Sequence, residues 1–187
     1  MTMPDGGGSG DTTVPALVAM RARTAPDALA IEDGALRLTY GALQTRVEAV
    51  AADLAARGIG RGDRVAALAE NSAHYTVLQL AAGRLGAMVA CQNWRLAADE
   101  VAWCLRLVEP RLVCASARYE GLAAEVAGGV PVARIDALGA LGHTEPAAQP
   151  EDGLQIIYTS GTTGRPTAAV ISHGALVARL GALRLYL

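Results

Sequence analysis

A chain of 187 residues can bury one sizeable core, and its 52% hydrophobic fraction and mean hydropathy of +0.28 do not by themselves tell protein core from membrane. No stretch reaches the roughly 18 uninterrupted apolar residues of a spanning helix, because Gln79 and Arg84 break the most apolar region, so no membrane span is expected. Formal net charge is −2, every basic residue is Arg, aromatics are few and no basic run occurs, so nucleic acid is not an expected partner.

Met1–Asp11 is Gly-rich and acidic, without a positive start or an apolar signal region. Residues 1–12 therefore read as a disordered lead-in to a cytoplasmic protein, with the folded part at 13–187. Val14, Leu17 and Val18 place an apolar stripe on a first helix ending near Arg23, before Pro26. Ala28–Glu32 and Leu36–Thr39 flank Asp33-Gly34, a two-residue hairpin signal.

From Tyr40 helices and strands alternate. Leu43, Val47, Val50 and Leu54 line one face of a helix, with Thr39 as a possible N-cap and Gly58 just past its end. Strands follow at Arg64–Leu68, Ala87–Cys91, Leu112–Ala115 and Val130–Ile135. Helices are expected at Ser72–Leu85, around Val101, Leu105 and Val108 up to Pro110, and at Tyr119–Ala127. Asp99 and Glu100 sit near the positive end of the middle helix. The fold class is thus α/β, a mainly parallel sheet flanked by helices. Cys91, Cys104 and Cys114 are odd in number and without metal spacing, which suits buried, reduced thiols.

After a Gly/Pro/Ala linker at Ala137–Gly153 comes the most informative stretch. Leu154, Ile156 and Ile157 form a short apolar run that reads as a buried strand. It breaks into Thr159-Ser160-Gly161-Thr162-Thr163-Gly164, and an apolar, β-branched strand resumes from Thr167 to Ser172 after Pro166. Two glycines let successive backbone N–H groups converge, and the hydroxyls add donors without bulk, which suits a polyphosphate. A plain mobile turn of the same composition is the other reading. The arrangement is not the Walker loop, since no Lys-Ser/Thr pair opens a helix.

Tyr158-Thr-Ser-Gly-Thr-Thr-Gly-Arg-Pro166, followed by Val170-Ile-Ser-His173, closely resembles the signature phosphate loop of the AMP-forming acyl-CoA synthetases, within the adenylate-forming family. Gly58-Ile-Gly-Arg-Gly-Asp-Arg-Val65 is similar to the family's turn into a strand. Glu70-Asn71-Ser72 resembles its next helix start, and Asn93-Trp94-Arg95-Leu96 a segment common among fatty and aryl acyl-CoA ligases. One departure is Thr167-Ala168 where the family usually has Lys-Gly, which removes a point charge that could face phosphate.

The resemblance implies the first part of the large N-terminal domain of that family. It implies activation of a carboxylic acid, fatty or aryl, by Mg2+·ATP to an acyl adenylate, then displacement of AMP by the thiol of CoA. Thr159, Ser160, Gly161, Thr162, Thr163, Gly164 and Thr167 would face the β- and γ-phosphates, where charge accumulates as pyrophosphate leaves. The family's adenine- and metal-binding Glu segment, ribose-binding Asp, hinge and mobile C-terminal domain are expected beyond residue 187. The chain alone is therefore expected to be inactive; the alternative is a non-catalytic remnant, or half of a split protein acting as a binding module. Leu176, Leu180, Leu183 and Leu187 form an apolar stripe on a last helix, for which self-association or a partner chain is expected.

Three tempting features are discounted. Arg61-Gly62-Asp63 reads as turn chemistry. Gly142-His143-Thr144-Glu145 imitates a family segment but lies on the wrong side of the loop. His74 reads as a packed or surface residue, whereas His173 is open between a functional role and the start of the last helix.

Overall fold

Helix caps and apolar periods set the elements of the computed structural model, which describes residues 12–140, 142–160 and 166–184. The lead-in Met1–Asp11 lies outside them. Helix α1 is Val14–Thr24, with the Thr13 hydroxyl accepting the Ala16 N–H at 3.3 Å and Pro15 in the first turn. Strands β1 (Leu29–Asp33) and β2 (Leu36–Thr39) form an antiparallel hairpin. Its turn is Gly34-Ala35 rather than Asp33-Gly34: Asp33 pairs with Leu36, and Gly34 takes the positive φ of +58°. The freed Asp33 carboxylate accepts the Ala73 N–H at 2.8 Å.

Helix α2 is Tyr40–Ala56, capped by Thr39 through a 3.2 Å bond from the Ala42 N–H, and it buries Leu43, Val47, Val50 and Leu54 as the period requires. The chain then alternates through β3 (Arg64–Leu68), α3 (Ala73–Arg84), β4 (Met88–Cys91), α4 (Ala98–Val108), β5 (Leu112–Ala115), α5 (Glu120–Val126) and β6 (Val132–Arg134). Ser72 caps α3 through Tyr75 N–H, and the Glu100 carboxylate accepts the Ala97 N–H at the start of α4. The strand expected over Val130–Ile135 is shorter. Pro131 has no N–H to give, and Ile135 turns into a 3₁₀ segment, Ile135–Ala137, where it is buried. Likewise a 3₁₀ turn, Ala117–Tyr119, precedes α5.

Strands β7 (Gly153–Ser160) and β8 (Pro166–Ser172) and helix α6 (His173–Arg184) complete the described chain. The sheet order is β6-β5-β3-β4-β7-β8, parallel throughout except for β8, which runs antiparallel to β7 at the edge. Alternation splits the core between the two faces. Val65, Ala67, Val89, Leu112 and Cys114 pack with α2 and α3, while Ala66, Leu68, Ala90, Val113 and Ala115 pack with α4 and α5. Among the described residues no helix is long and apolar enough to cross a membrane.

Residues 138–152 are more than a linker. Gly139 N–H donates to Asp53 at 2.9 Å, Arg84 holds the Thr144 carbonyl at 2.6 Å, and Gly174 N–H donates to the Pro150 carbonyl at 2.7 Å. The segment has no side-chain period, so its docking comes from backbone groups that must find partners. Asp152 also holds Arg61 in a 2.9 Å pair, and Asp63 pairs with Arg111, which makes Arg61-Gly62-Asp63 a turn.

Candidate functional site

After β3 the chain crosses one face of the sheet through α3, and after β4 it crosses the other through α4. The connections diverge at the carboxyl ends of β3 and β4, which is where open α/β sheets leave a crevice for ligands. Strand β7 lies beside β4 in the same direction, with Val89 opposite Gln155 and Ala90 opposite Ile156. Its carboxyl end therefore delivers the Gly/Ser/Thr loop to the same edge.

The strands run further into that loop than the sequence suggests. Thr159 pairs with Thr167 and Ser160 with Pro166, so Thr159 and Ser160 belong to β7, and Pro166 and Thr167 to β8. At Thr159 a β-branched side chain suits the pleated surface, which overrides the loop reading there, whereas Thr167 lies in the strand expected for it. Thr159 Oγ1 and Thr167 Oγ1 are 2.9 Å apart in one hydrogen bond, on the exposed side of the hairpin mouth. The expected contributions of Gly161, Thr162, Thr163 and Gly164 lie outside the described residues, as does the side chain of Ser160. The structure thus brings Thr159 and Thr167 together at the base of the loop.

Tyr158 anchors the hairpin from below. Its hydroxyl accepts from Gln92 Nε2 at 2.7 Å and donates to the Cys104 carbonyl at 3.0 Å, so β7, β4 and α4 meet at one oxygen. Burial pushes its phenol pKa up, so it stays protonated and keeps both roles. Gln92 is itself buried, and its Oε1 has no partner among the described residues. On the other face Gln155 accepts from Gln79 Nε2 at 3.1 Å.

Beside the hairpin, the ends of β3, β4 and β5 bring together residues that the sequence shows only as separate segments. Ser116 Oγ donates to Glu70 at 2.8 Å, and Arg118 stands 3.5 Å from the same carboxylate. Glu70's own backbone amide, then Ser116 and Arg118, hold its carboxyl below the usual value. The Trp94 ring lies under Arg95 at 4.5 Å and Arg118 at 6.0 Å, and stacks on Tyr119 at 5.9 Å. Arg118 and Ser116 carry no local signal; only the strand order places them beside Glu70 and Trp94.

His173 opens α6 and is fully buried, which answers the two readings of this residue in favour of structure. The cysteines are free, and burial pushes the Cys114 thiol up to about 12, so it is an unreactive core group. His143 pairs with Glu145 at 3.2 Å on the surface. Among the described residues no cluster of His, Cys, Asp or Glu is placed to hold a metal.

The profile of the AMP-binding enzyme family matches residues 18–186. A feruloyl-CoA synthase of an Amycolatopsis species is 35% identical over 163 residues, covering 83% of this chain and 32% of its own. A 4-chlorobenzoate–CoA ligase of an Arthrobacter species is 37% identical over 183 residues, covering 88% and 34%. A crystal structure assigned as a long-chain-fatty-acid CoA ligase of Rhodopseudomonas palustris superposes with a TM-score of 0.85 at 32% identity, over 92% of this chain and 47% of that one. The chain spans about a third of the length of these curated relatives.

Proposed function

This chain belongs to the AMP-binding enzyme family, and from that premise we propose that it supplies the ATP phosphate loop of an enzyme that activates a carboxylic acid for transfer to the thiol of CoA. The observation that carries the reading is the β7–β8 hairpin, whose loop opens at the carboxyl edge of a parallel sheet beside the divergence of β3 and β4. The relatives that act on ferulate and 4-chlorobenzoate favour an aryl acid. Residues 13–187 would form part of the N-terminal domain, with residues 1–12 a lead-in.

Thr159, Ser160, Gly161, Thr162, Thr163, Gly164 and Thr167 would receive the β- and γ-phosphates of ATP. The hairpin holds the loop's two ends, Ser160 and Pro166, in register, and donors fixed in advance would stabilise charge as it moves onto pyrophosphate. A hydrogen bond to a charged group is worth about 1.5–3 kcal/mol, so losing one would slow the step roughly ten- to a hundredfold. Mg2+ would accompany ATP, and among the described residues no cluster of His, Cys, Asp or Glu is placed to hold it.

Exposed Ile157, Val170 and Leu180 favour a second reading, a binding module completed by another polypeptide. Phosphorus NMR of pyrophosphate, titrated into the 187-residue protein with Mg2+, tests the first reading. Saturable line broadening that disappears in Gly161→Val, Gly164→Val is expected. Identical broadening in the variant, or none in the wild type, removes the phosphate loop from the proposal.

A further inference from the structure

Arg84 ends α3 and is buried, with 7% of its surface exposed. Its Nη2 and Nε point at Thr144, the carbonyl at 2.6 Å and the hydroxyl at 3.4 Å. Among the described residues no carboxylate pairs with this guanidinium, whose bonds to Thr144 run from Nε and Nη2. A buried cation with no counter-ion is costly, and one carbonyl together with the negative end of α3 offsets only part of that.

Arg84 lines an open cavity of about 290 Å³ between α1, α2, α3 and the segment following Thr144. That volume is at the small end for ligand pockets, roughly 300–1,000 Å³. Arg23 from α1 adds a second guanidinium, and Pro15 and Ala19 add apolar wall. Glu48 from α2 also lines it, with its carboxylate already engaged by Gln44 Nε2 at 2.8 Å. Among the described residues, two guanidiniums against one engaged carboxylate make the lining cationic, and its apolar wall suits an organic body rather than a compact ion.

The cavity is remote from the phosphate loop. Helix α3 leaves the carboxyl edge of the sheet at Ser72 and returns to the amino edge, where Arg84 precedes β4, so a whole helix separates the two.

We propose that this cavity is a binding site for a small carboxylic acid with an apolar body, its carboxylate taken by Arg84 Nη1 and Arg23. Such a ligand supplies a counter-ion that the described residues do not, and joins α1 to α2 and α3. The site is independent of the proposed phosphate loop.

Ligand-observed NMR on the full chain tests it, with benzoate as probe, benzamide as its neutral isostere and inorganic phosphate as a compact anion. Benzoate should bind saturably, with benzamide and phosphate each weaker by roughly tenfold or more. Ala19→Trp, which fills the cavity, should abolish benzoate binding, and the exposed Arg23→Gln should weaken it severalfold. Both variants should keep the wild-type circular dichroism, so the test does not hang on Arg84→Gln, which should weaken benzoate most if it folds. Benzoate binding unchanged in Ala19→Trp, benzamide or phosphate binding as tightly as benzoate, or no saturable binding would each overturn the proposal.

Discussion

His173 Nδ1 accepts the backbone N–H of Val14 at 3.3 Å, so residues 159 apart in sequence hold the first helix against the start of the last. An accepting Nδ1 places the imidazole proton on Nε2, which is buried with no partner among the described residues. Burial lowers the His173 pKa, while Asp152 opposes the effect.

The folded state therefore binds fewer protons than the unfolded one near pH 6.5. Stability is complete above the unfolded pKa and falls as pH drops through about 6.5 toward the folded value. Urea unfolding at pH 7.5 and 5.5 should show the decline, bounded for this group at about 1.4 kcal/mol per pH unit below 6.5. His173→Gln should flatten that part of the profile. The salt-bridged or hydrogen-bonded carboxyls of Asp53, Asp136 and Asp152 are held below their ordinary value, so their losses come at lower pH.

Gly83 faces the same junction. A Cβ there would stand 2.7 Å from Leu154 Cδ1 and 3.1 Å from His173 Cε1. Helix propensity favours Gly83→Ala by about 1 kcal/mol, but overpacking costs about 1–3 kcal/mol. A net loss on the order of 1 kcal/mol is expected, read as a melting-temperature drop of about 2–4 °C.

Tyr158→Phe should cost about 0.5–1.5 kcal/mol in chemical denaturation, because it leaves Gln92 Nε2 only its longer bond to the Ala90 carbonyl and takes a donor from the Cys104 carbonyl. Gln92→Leu should cost less, since it also removes an acceptor that has no partner among the described residues. Equal losses would show that the hydroxyl bridge is not the main term.

Thr167→Lys breaks only the exposed bond to Thr159, so stability should change by less than about 0.5 kcal/mol. If the position faces phosphate, an added ammonium should tighten pyrophosphate on the order of tenfold. Unchanged phosphorus NMR titrations would place residue 167 away from the anion.

Helix α6 turns His173 and Val177 inward, and Leu180 outward, with Leu176 half-buried. Of the expected Leu stripe, Leu180 is thus exposed and Leu176 half-buried, while the Leu183 side chain and Leu187 lie outside the described residues. Val170 on the edge strand is 60% exposed and Leu180 49%. Sedimentation should show self-association of the wild type and its loss in Val170→Glu, Leu180→Glu. A monomeric wild type with cooperative unfolding would reject the interface.

Local signals that repeat were legible in the sequence. The α2 face, the Thr39 and Ser72 caps and strands β3 and β5 follow from the period and capping chemistry of their own residues. Placement that depends on partners was not. The hairpin turn slipped one residue because strand pairing chose Gly34-Ala35, and residues 138–152 gave no periodicity from which to infer their docking. At the site, Thr159 and Thr167 were marked by type, but their direct bond follows only from register.

The long crossing from β6 to β7 also orders events in time. β6 lies at one edge of the sheet and β7 on the far side of β5, β3 and β4. Its docking bonds to Asp53, Arg84 and β4 all require earlier segments to be in place. Closing so large a loop is entropically slow, so pairing of Val89 with Gln155 awaits assembly of the central strands. As the polypeptide leaves the ribosome, the hairpin is the last strand pair of the described sheet to be seated, and an uncompleted chain exposes the β4 flank to wrong partners first.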